Sequence, residues 1–417
     1  MPAGTARAGI PLVALLLAAC YGVETGAGPP AGVVAESSAP EVYVALTRGA
    51  SGVEVGGGGP VRVLDGEGQP IAELPAGTVA RAATQGDRVG LHVAGMRLGP
   101  SLTLELWPRD SGTVRIADRE YRGRVAITAT TTGLLVVNRV GIEDYLAGVV
   151  NAEMGRRAPG EEAALEAQAI VSRTFALRVV GRWRTQGFDL LATISDQAYT
   201  GVASETPAGR AAVAATRGLV ITYADQPIEA FFHSTCGGRT AGGAEAFVNG
   251  GLPYLQSVVD QGPTGQSWCA ISPRYQWREE WTGEQLRATL RTTLPAAAGV
   301  SATRVTEVRD VVVTDRSSSG RVASIRIQLG TSGVPVTGQT IRHVLRPEGA
   351  PLLRSTTFEV QATRSANRLI RLVLEGHGNG HGVGMCQWGA VGRARAGYGA
   401  EQIVAAYFPG TTLERRW

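Results

Sequence analysis

The sequence predicts an α+β protein, and three observations carry that reading. Short β-rich runs broken by Gly, Pro and Asp fill residues 41 to about 140. Two stretches with helical spacing of apolar residues follow, between Ile142 and Val180. Beyond them strands and helices are mixed, and no order of a doubly wound sheet emerges.

At the N-terminus, Arg7 precedes an apolar run from Ile10 to Ala19. The run has the length of a signal-peptide core and is too short to span a bilayer. Leu17-Ala18-Ala19-Cys20 looks like a bacterial lipobox. Residues 1–20 are therefore expected to be a lipoprotein signal peptide, cleaved before Cys20, whose sulfur is lipidated. An ordinary secretory signal with an incidental Cys is the alternative. Either reading exports the chain, and the first leaves it on a membrane through Cys20, facing the cell wall or periplasm. Residues 21–40, rich in Gly, Ala, Pro and Ser, read as a flexible tether.

Residues 41–133 form a β-rich N-terminal region with runs such as EVYVAL, PVRVLD, RVGLHV and LTLELW. In IEDYLAGVVNAEM, Leu146, Val150 and Glu153 share one helical face, and Glu143 and Asp144 sit in the first turn. A second helix is expected in PGEEAALEAQAIVSRTFALRVV, with Pro159 at its start and a stripe of Ala164, Gln168, Val171 and Phe175. Residues 277–360 hold a helix (GEQLRATLRTTL) and strands (EVRDVVVTD, VASIRIQL), and are a candidate inserted α/β subdomain. The last forty residues carry the Gly-rich segment HGNGHGVGMCQWGA from His377 to Ala390, a short helix (AEQIVAAYF) and a PGT turn. The net charge of +4 is spread along the chain without a long basic run, which gives no support to nucleic-acid binding.

Glu153 is the sharpest chemical candidate. A carboxylate on an apolar helix face is costly to bury charged and tends to take up a proton, the condition of a general acid. The alternative is a helix-end Glu that meets water or pairs with Arg156 or Arg157. The Gly-rich segment is expected to avoid regular helix and strand, and to line a site as an irregular loop. Its two His and one Cys also suit a metal; a hydrogen-bonded turn is the bland reading.

The motifs DYLAGVVNAEM, ALEAQAIVSRTFAL, SDQAYTG, FFHSTCGGRT, GQTIRHVL, GHGVGMCQWGA and YFPGT follow one another across residues 134–417. In this the chain resembles the SpoIID/LytB family, whose sporulation members are peptidoglycan lytic transglycosylases and whose other members are described as amidase enhancers. The resemblance implies a cleft-forming core in which Glu153, in the AEM motif, is the catalytic acid and base. It would protonate the leaving oxygen of the glycan strand, then deprotonate the muramic 6-hydroxyl that attacks the anomeric carbon, leaving a 1,6-anhydro end. One carboxylate then suffices where hydrolysing glycosidases commonly use two, and no cofactor is required. The same resemblance implies substrate contacts at Arg173, Gln197, Tyr199, His233, Ser234, His381 and Gln387. A structural ion pair competes for Arg173, and packing roles for Gln197 and Tyr199. Glu166 stands where sporulation members commonly carry Lys. The implied partners are peptidoglycan strands and, for a non-catalytic wall-binding protein, a cell-wall amidase.

Export permits a Cys236–Cys269 disulfide. A zinc site using His233, Cys236 and a further ligand, which the family resemblance implies, competes with it, as do free buried thiols. A weaker reading is a zinc hydrolase built on His233, His377, His381 and a Cys.

Overall fold

The computed structural model describes residues 38–417. The signal peptide, Cys20 and nearly all of the tether lie outside the described residues. The α+β expectation holds, with extended sheets and short helices in one chain.

In the N-terminal region apolar residues alternate along each strand, so one face of each turns inward. Val42 and Val44, Val61 and Val63, Leu104 and Leu106, Val125 and Ile127, and Leu134 and Val136 are all fully buried. A seven-stranded sheet runs in the order Leu190–Leu191, Glu41–Ala50, Gly133–Gly141, Arg124–Thr130, Thr103–Pro108, Val61–Asp65, Pro70–Leu74. A six-stranded sheet adds Val55, Ala82 and Leu91 to the same core. Strand Gly133–Gly141 leads directly into helix α1 (Ile142–Met154), and Glu41–Ala50 pairs in parallel with Leu190–Leu191. The apolar core therefore continues without a break from the sheets into α1 and α2 (Glu162–Val179).

Helix α3 (Pro207–Ala215) starts where Thr206 accepts the Gly209 N–H at 3.0 Å and Pro takes the first position. After the single turn α4 (Gly243–Ala246), residues 276–377 form a unit with its own core. Trp281, Leu286, Leu290, Ile325, Ile327, Leu372 and Leu374 meet there, between helices α5 (Gly283–Ala298) and α6 (Thr340–Val344) and two three-stranded sheets. This core reaches past residue 360. The unit's first and last strands, Gln276–Thr282 and Arg368–His377, pair with Gln276 opposite His377. Chain entry and exit are thus adjacent, as suits an insertion. That pairing delivers the start of the Gly-rich segment to the main body.

The Gly-rich segment departs from the expectation of a wholly irregular loop. Met385–Cys386 is a strand, and Gln387–Arg395 is helix α7, followed by α8 (Ala400–Tyr407). The Cys386 side chain caps α7, accepting the Gly389 N–H at 3.3 Å. A Cβ on Gly389 would lie 2.1 Å from the Tyr407 hydroxyl, and one on Gly392 2.2 Å from the Trp268 carbonyl. Close tertiary approach here outweighs the roughly 1 kcal/mol that Gly costs inside a helix. Among the described residues no helix is long and apolar enough to cross a membrane.

Candidate active-site cleft

Helix α1 stops at Gly155, whose φ of +66° needs no Cβ and whose N–H returns to the Asn151 carbonyl at 2.9 Å. The last turn thereby leaves Glu153 at the floor of an open cleft of about 1180 Å³. His233, Ser234, His381, Gln387, Arg274, Arg342 and Arg354 also line this cleft. The Ala198 N–H donates to Glu153 Oε1 at 2.6 Å. Burial raises the Glu153 pKa above the ordinary carboxylate value; the Ala198 N–H and the Gln387 side chain oppose that rise without cancelling it. The negative end of the α1 dipole also disfavours the anion there.

Among the described residues Glu153 has no ion pair. Arg157, the alternative partner, instead lies 3.9 Å from Glu161 and stacks over Trp388 at 4.7 Å. Three neighbouring carboxylates differ: Glu229 pairs with Arg178 at 3.0 Å, Glu279 with Arg354 at 3.2 Å, and Asp196 with Arg182. Glu348, also on the cleft, is exposed to solvent where Glu153 is buried. A smaller depression of about 230 Å³ shares Glu153, Ser234, Arg274 and Gln387 with the main cleft and continues to Trp388. Glu153 therefore lies at the junction of two adjoining grooves.

One wall is the Gly-rich segment laid against FFHSTCGGRT. Phe232–His233 pairs in parallel with Met385–Cys386, and a Cβ on Gly380 would sit 2.8 Å from that of His233. His233 Nδ1 lies 3.1 Å from the Val383 carbonyl, which can only accept, so the proton is on Nδ1. Among the described residues His233 Nε2 is then a bare acceptor, buried and without a partner. His381 has the opposite tautomer: its Nδ1 accepts the Val383 N–H at 3.1 Å, which leaves Nε2 to carry the proton. Burial pushes His233 well below the usual imidazole range, with His381 and Arg321 adding to it, and burial and Arg342 take His381 down to about 4. The two rings, 5.6 Å apart, are neutral near neutral pH. Gln387, the first residue of α7, donates to the Gln168 side chain at 3.3 Å.

The structure thus brings Glu153, His233, Ser234, His381 and Gln387 together. The other expected contacts are elsewhere. Arg173 is fully buried, with its fork on Glu143 at 2.7 and 3.1 Å and further bonds to the Leu219 and Val213 carbonyls. Four of its five N–H donors meet protein acceptors and its side chain has no exposed surface, so it is placed as a structural ion pair and not as a substrate clamp. Gln197 is internal, bonded to the Tyr145 hydroxyl at 3.0 Å. Tyr199 is packed against Tyr121 and Tyr145 with its hydroxyl on Asn138 at 2.8 Å. Both support the cleft from behind. Glu166 is half-buried and is not among the residues lining the cleft. His377 turns to Tyr275 and lines a different depression, so the set His233, His377 and His381 is not assembled.

The cysteines also depart from expectation. Cys236 and Cys269 do not form a disulfide: their sulfurs are 3.5 Å apart, against about 2.05 Å for a bond. Cys386 joins them, and His233 does not. Sequence reasoning passed over Asp260, which lies with the three sulfurs, and the cleft arginines 274, 342 and 354. Arg342 stands in the GQTIRHVL motif, which was a signal available in the sequence; for Asp260 there was none.

Residues 130–223 match the family described as Stage II sporulation protein, and residues 267–384 match a domain of unknown function, DUF8618. The chain is 30% identical to the stage II sporulation protein D of Bacillus subtilis over 304 residues, covering 69% of this chain and 79% of that protein. The chain belongs to the SpoIID/LytB family. This SpoIID/LytB chain is also 30% identical to an uncharacterized protein of Brachyspira hyodysenteriae, over 70% of this chain and 72% of the other. Its match to the amidase enhancer of Bacillus subtilis is 26% identical and covers 60% of this chain and 38% of that protein. The Stage II sporulation match contains α1 with Glu153, α2 and the supporting Gln197 and Tyr199.

Proposed function

We propose that this SpoIID/LytB protein acts on the cell wall and cleaves peptidoglycan glycan strands as a lytic transglycosylase. The observation that carries this is Glu153: a carboxylate without a cation partner, raised in pKa by burial, at the junction of two grooves. A polymer lying through both grooves presents its glycosidic oxygen to that residue. Glu153, protonated, gives its proton to the leaving oxygen as the glycosidic bond breaks. The resulting carboxylate takes the proton of the muramic 6-hydroxyl as that oxygen bonds to the anomeric carbon, so Glu153 ends protonated, as it began. The Gln387 amide donates to Glu153 and favours its carboxylate state. Trp388 offers a ring face in the smaller groove.

The test is digestion of purified glycan strands, with and without stem peptides, by wild type and Glu153→Gln. Anhydromuramic ends from wild type and none from the variant are expected. No such product from wild type on either substrate sinks the reading. A second reading, a wall-binding protein that stimulates an amidase, is favoured by the likeness to the amidase enhancer. It predicts equal glycan binding by wild type and Glu153→Gln, no glycan product, and faster amidase turnover with either. Under both readings an anchor at Cys20 would keep the chain beside the wall, which labelling with a fatty-acid analogue and its loss in Cys20→Ala tests.

A further inference from the structure

Behind the cleft wall four side chains converge from distant parts of the chain: Cys236, Asp260, Cys269 and Cys386. Their donor atoms all lie within 4.8 Å of one another, and all four residues are buried. A tetrahedral zinc with sulfur at about 2.3 Å places its donors about 3.8 Å apart, and Cys236 and Cys269 are already at 3.5 Å. Asp260 Oδ2 faces the Cys236 sulfur at 3.2 Å, while Oδ1 is held by the Tyr407 hydroxyl at 2.8 Å and by Arg393 at 3.1 Å. One carboxylate oxygen is thus oriented by outer partners and the other is turned inward, as in ligating carboxylates. Backbone N–H groups also point at sulfur: Cys236 and Gly389 donate to Cys386 at 3.1 and 3.3 Å, and Gly238 to Cys236 at 3.3 Å. Such donors favour thiolate over thiol. The Arg393 guanidinium on Asp260, and the buried Arg321 on the Cys236 carbonyl at 2.8 Å, supply positive charge around the cluster.

We propose that Cys236, Cys269, Cys386 and Asp260 bind one zinc ion as a closed structural site. On binding, each thiol releases its proton to solvent and its sulfur bonds to the metal; no electrons are transferred. With three sulfurs and a carboxylate the tetrahedron is full, so the ion has no open position for substrate. Its effect on the cleft is mechanical. It ties the FFHSTCGGRT segment to the N-terminus of α7, and so fixes His233 relative to Gln387 and Glu153. A Cys236–Cys269 disulfide is the competing state of the same atoms, and it would leave Cys386 and Asp260 without a common partner.

The experiment uses the full chain made without a His tag. Elemental analysis should find one zinc per chain, and replacement by cobalt(II) should give thiolate charge-transfer bands with tetrahedral d–d bands. Mass analysis of the protein alkylated after unfolding, without reductant, should find Cys236, Cys269 and Cys386 all modified. Tyr407→Phe, which leaves the ligands in place, should weaken metal affinity by about 10–100-fold, whereas His233→Ala should retain full metal content. Two results each overturn the proposal: absence of stoichiometric metal together with a Cys236–Cys269 disulfide, or cobalt bound without thiolate charge transfer. Loss of metal in His233→Ala overturns this ligand set. All these readouts are made without glycan, so they stand or fall separately from the cleft's activity.

Discussion

The two ends of helix α1 carry the same side chain in opposite surroundings. At the first turn Glu143 meets a two-pronged Arg173, the Trp417 indole N–H at 2.9 Å and the Gly218 N–H at 3.2 Å. Its charge is compensated from several sides, and the positive end of the helix dipole adds to this. Ten residues on, Glu153 has one backbone donor, a side-chain amide, no cation among the described residues and the wrong end of the dipole. Burial without compensation raises a carboxylate's pKa, while burial with compensation holds it as a structural post. The environment of each carboxylate is set by what it lacks as much as by what it touches.

The largest effect that separates the two ends is on turnover. Glu153→Gln should lower release of anhydromuramic ends by roughly 10²–10⁴-fold without lowering thermal stability. The mirror change, Arg173→Met, leaves Glu143 unpaired and should cost about 3–5 kcal/mol in denaturant unfolding. Any activity lost in that variant should follow the unfolded fraction. If Arg173→Met stays stable but loses glycan affinity, the assignment of Arg173 as a structural pair is wrong.

A smaller effect is the pH dependence that Glu153 brings. The folded pKa of Glu153 is raised, so between its unfolded and folded values the native state holds more protons than the unfolded state. Stability should therefore fall as pH rises through that window and level off above it. Glu153→Gln should remove this slope. The rate limb that depends on the protonated acid should fall over the same rise in pH. Gln387→Ala removes a bond that holds the Glu153 pKa down, so its rate limb should move to higher pH, read from the pH dependence of kcat/KM. Smallest of all, Glu166→Lys should change stability by no more than about 0.5 kcal/mol and leave glycan cleavage close to wild type, because Glu166 lies off the cleft. A large gain in cleavage would show that substrate runs over α2 as well.

Local pattern was enough for much of the fold and for one site residue. Alternation marked the N-terminal strands, and the spacing of Leu146, Val150 and Glu153 placed a carboxylate on an apolar face. Periodicity could not say what that face meets. Arg173, Gln197 and Tyr199 lie in the same motifs as true cleft residues, yet their side chains point into the interior, where ion pairs and hydrogen bonds use up their polar atoms. Gly389 reads as a helix breaker because local cost argues against it; contact with Tyr407 reverses that.

By itself, then, the sequence determined most of the elements, their order and the carboxylate at the end of α1, because these depend on spacing within a dozen residues. Only the tertiary structure decided that Glu153 has no cation while Glu143 has one. It alone also decided that sulfurs from positions 236, 269 and 386 share one pocket with Asp260. Both facts depend on groups far apart in the chain, and burial and charge compensation are properties of neighbours in space.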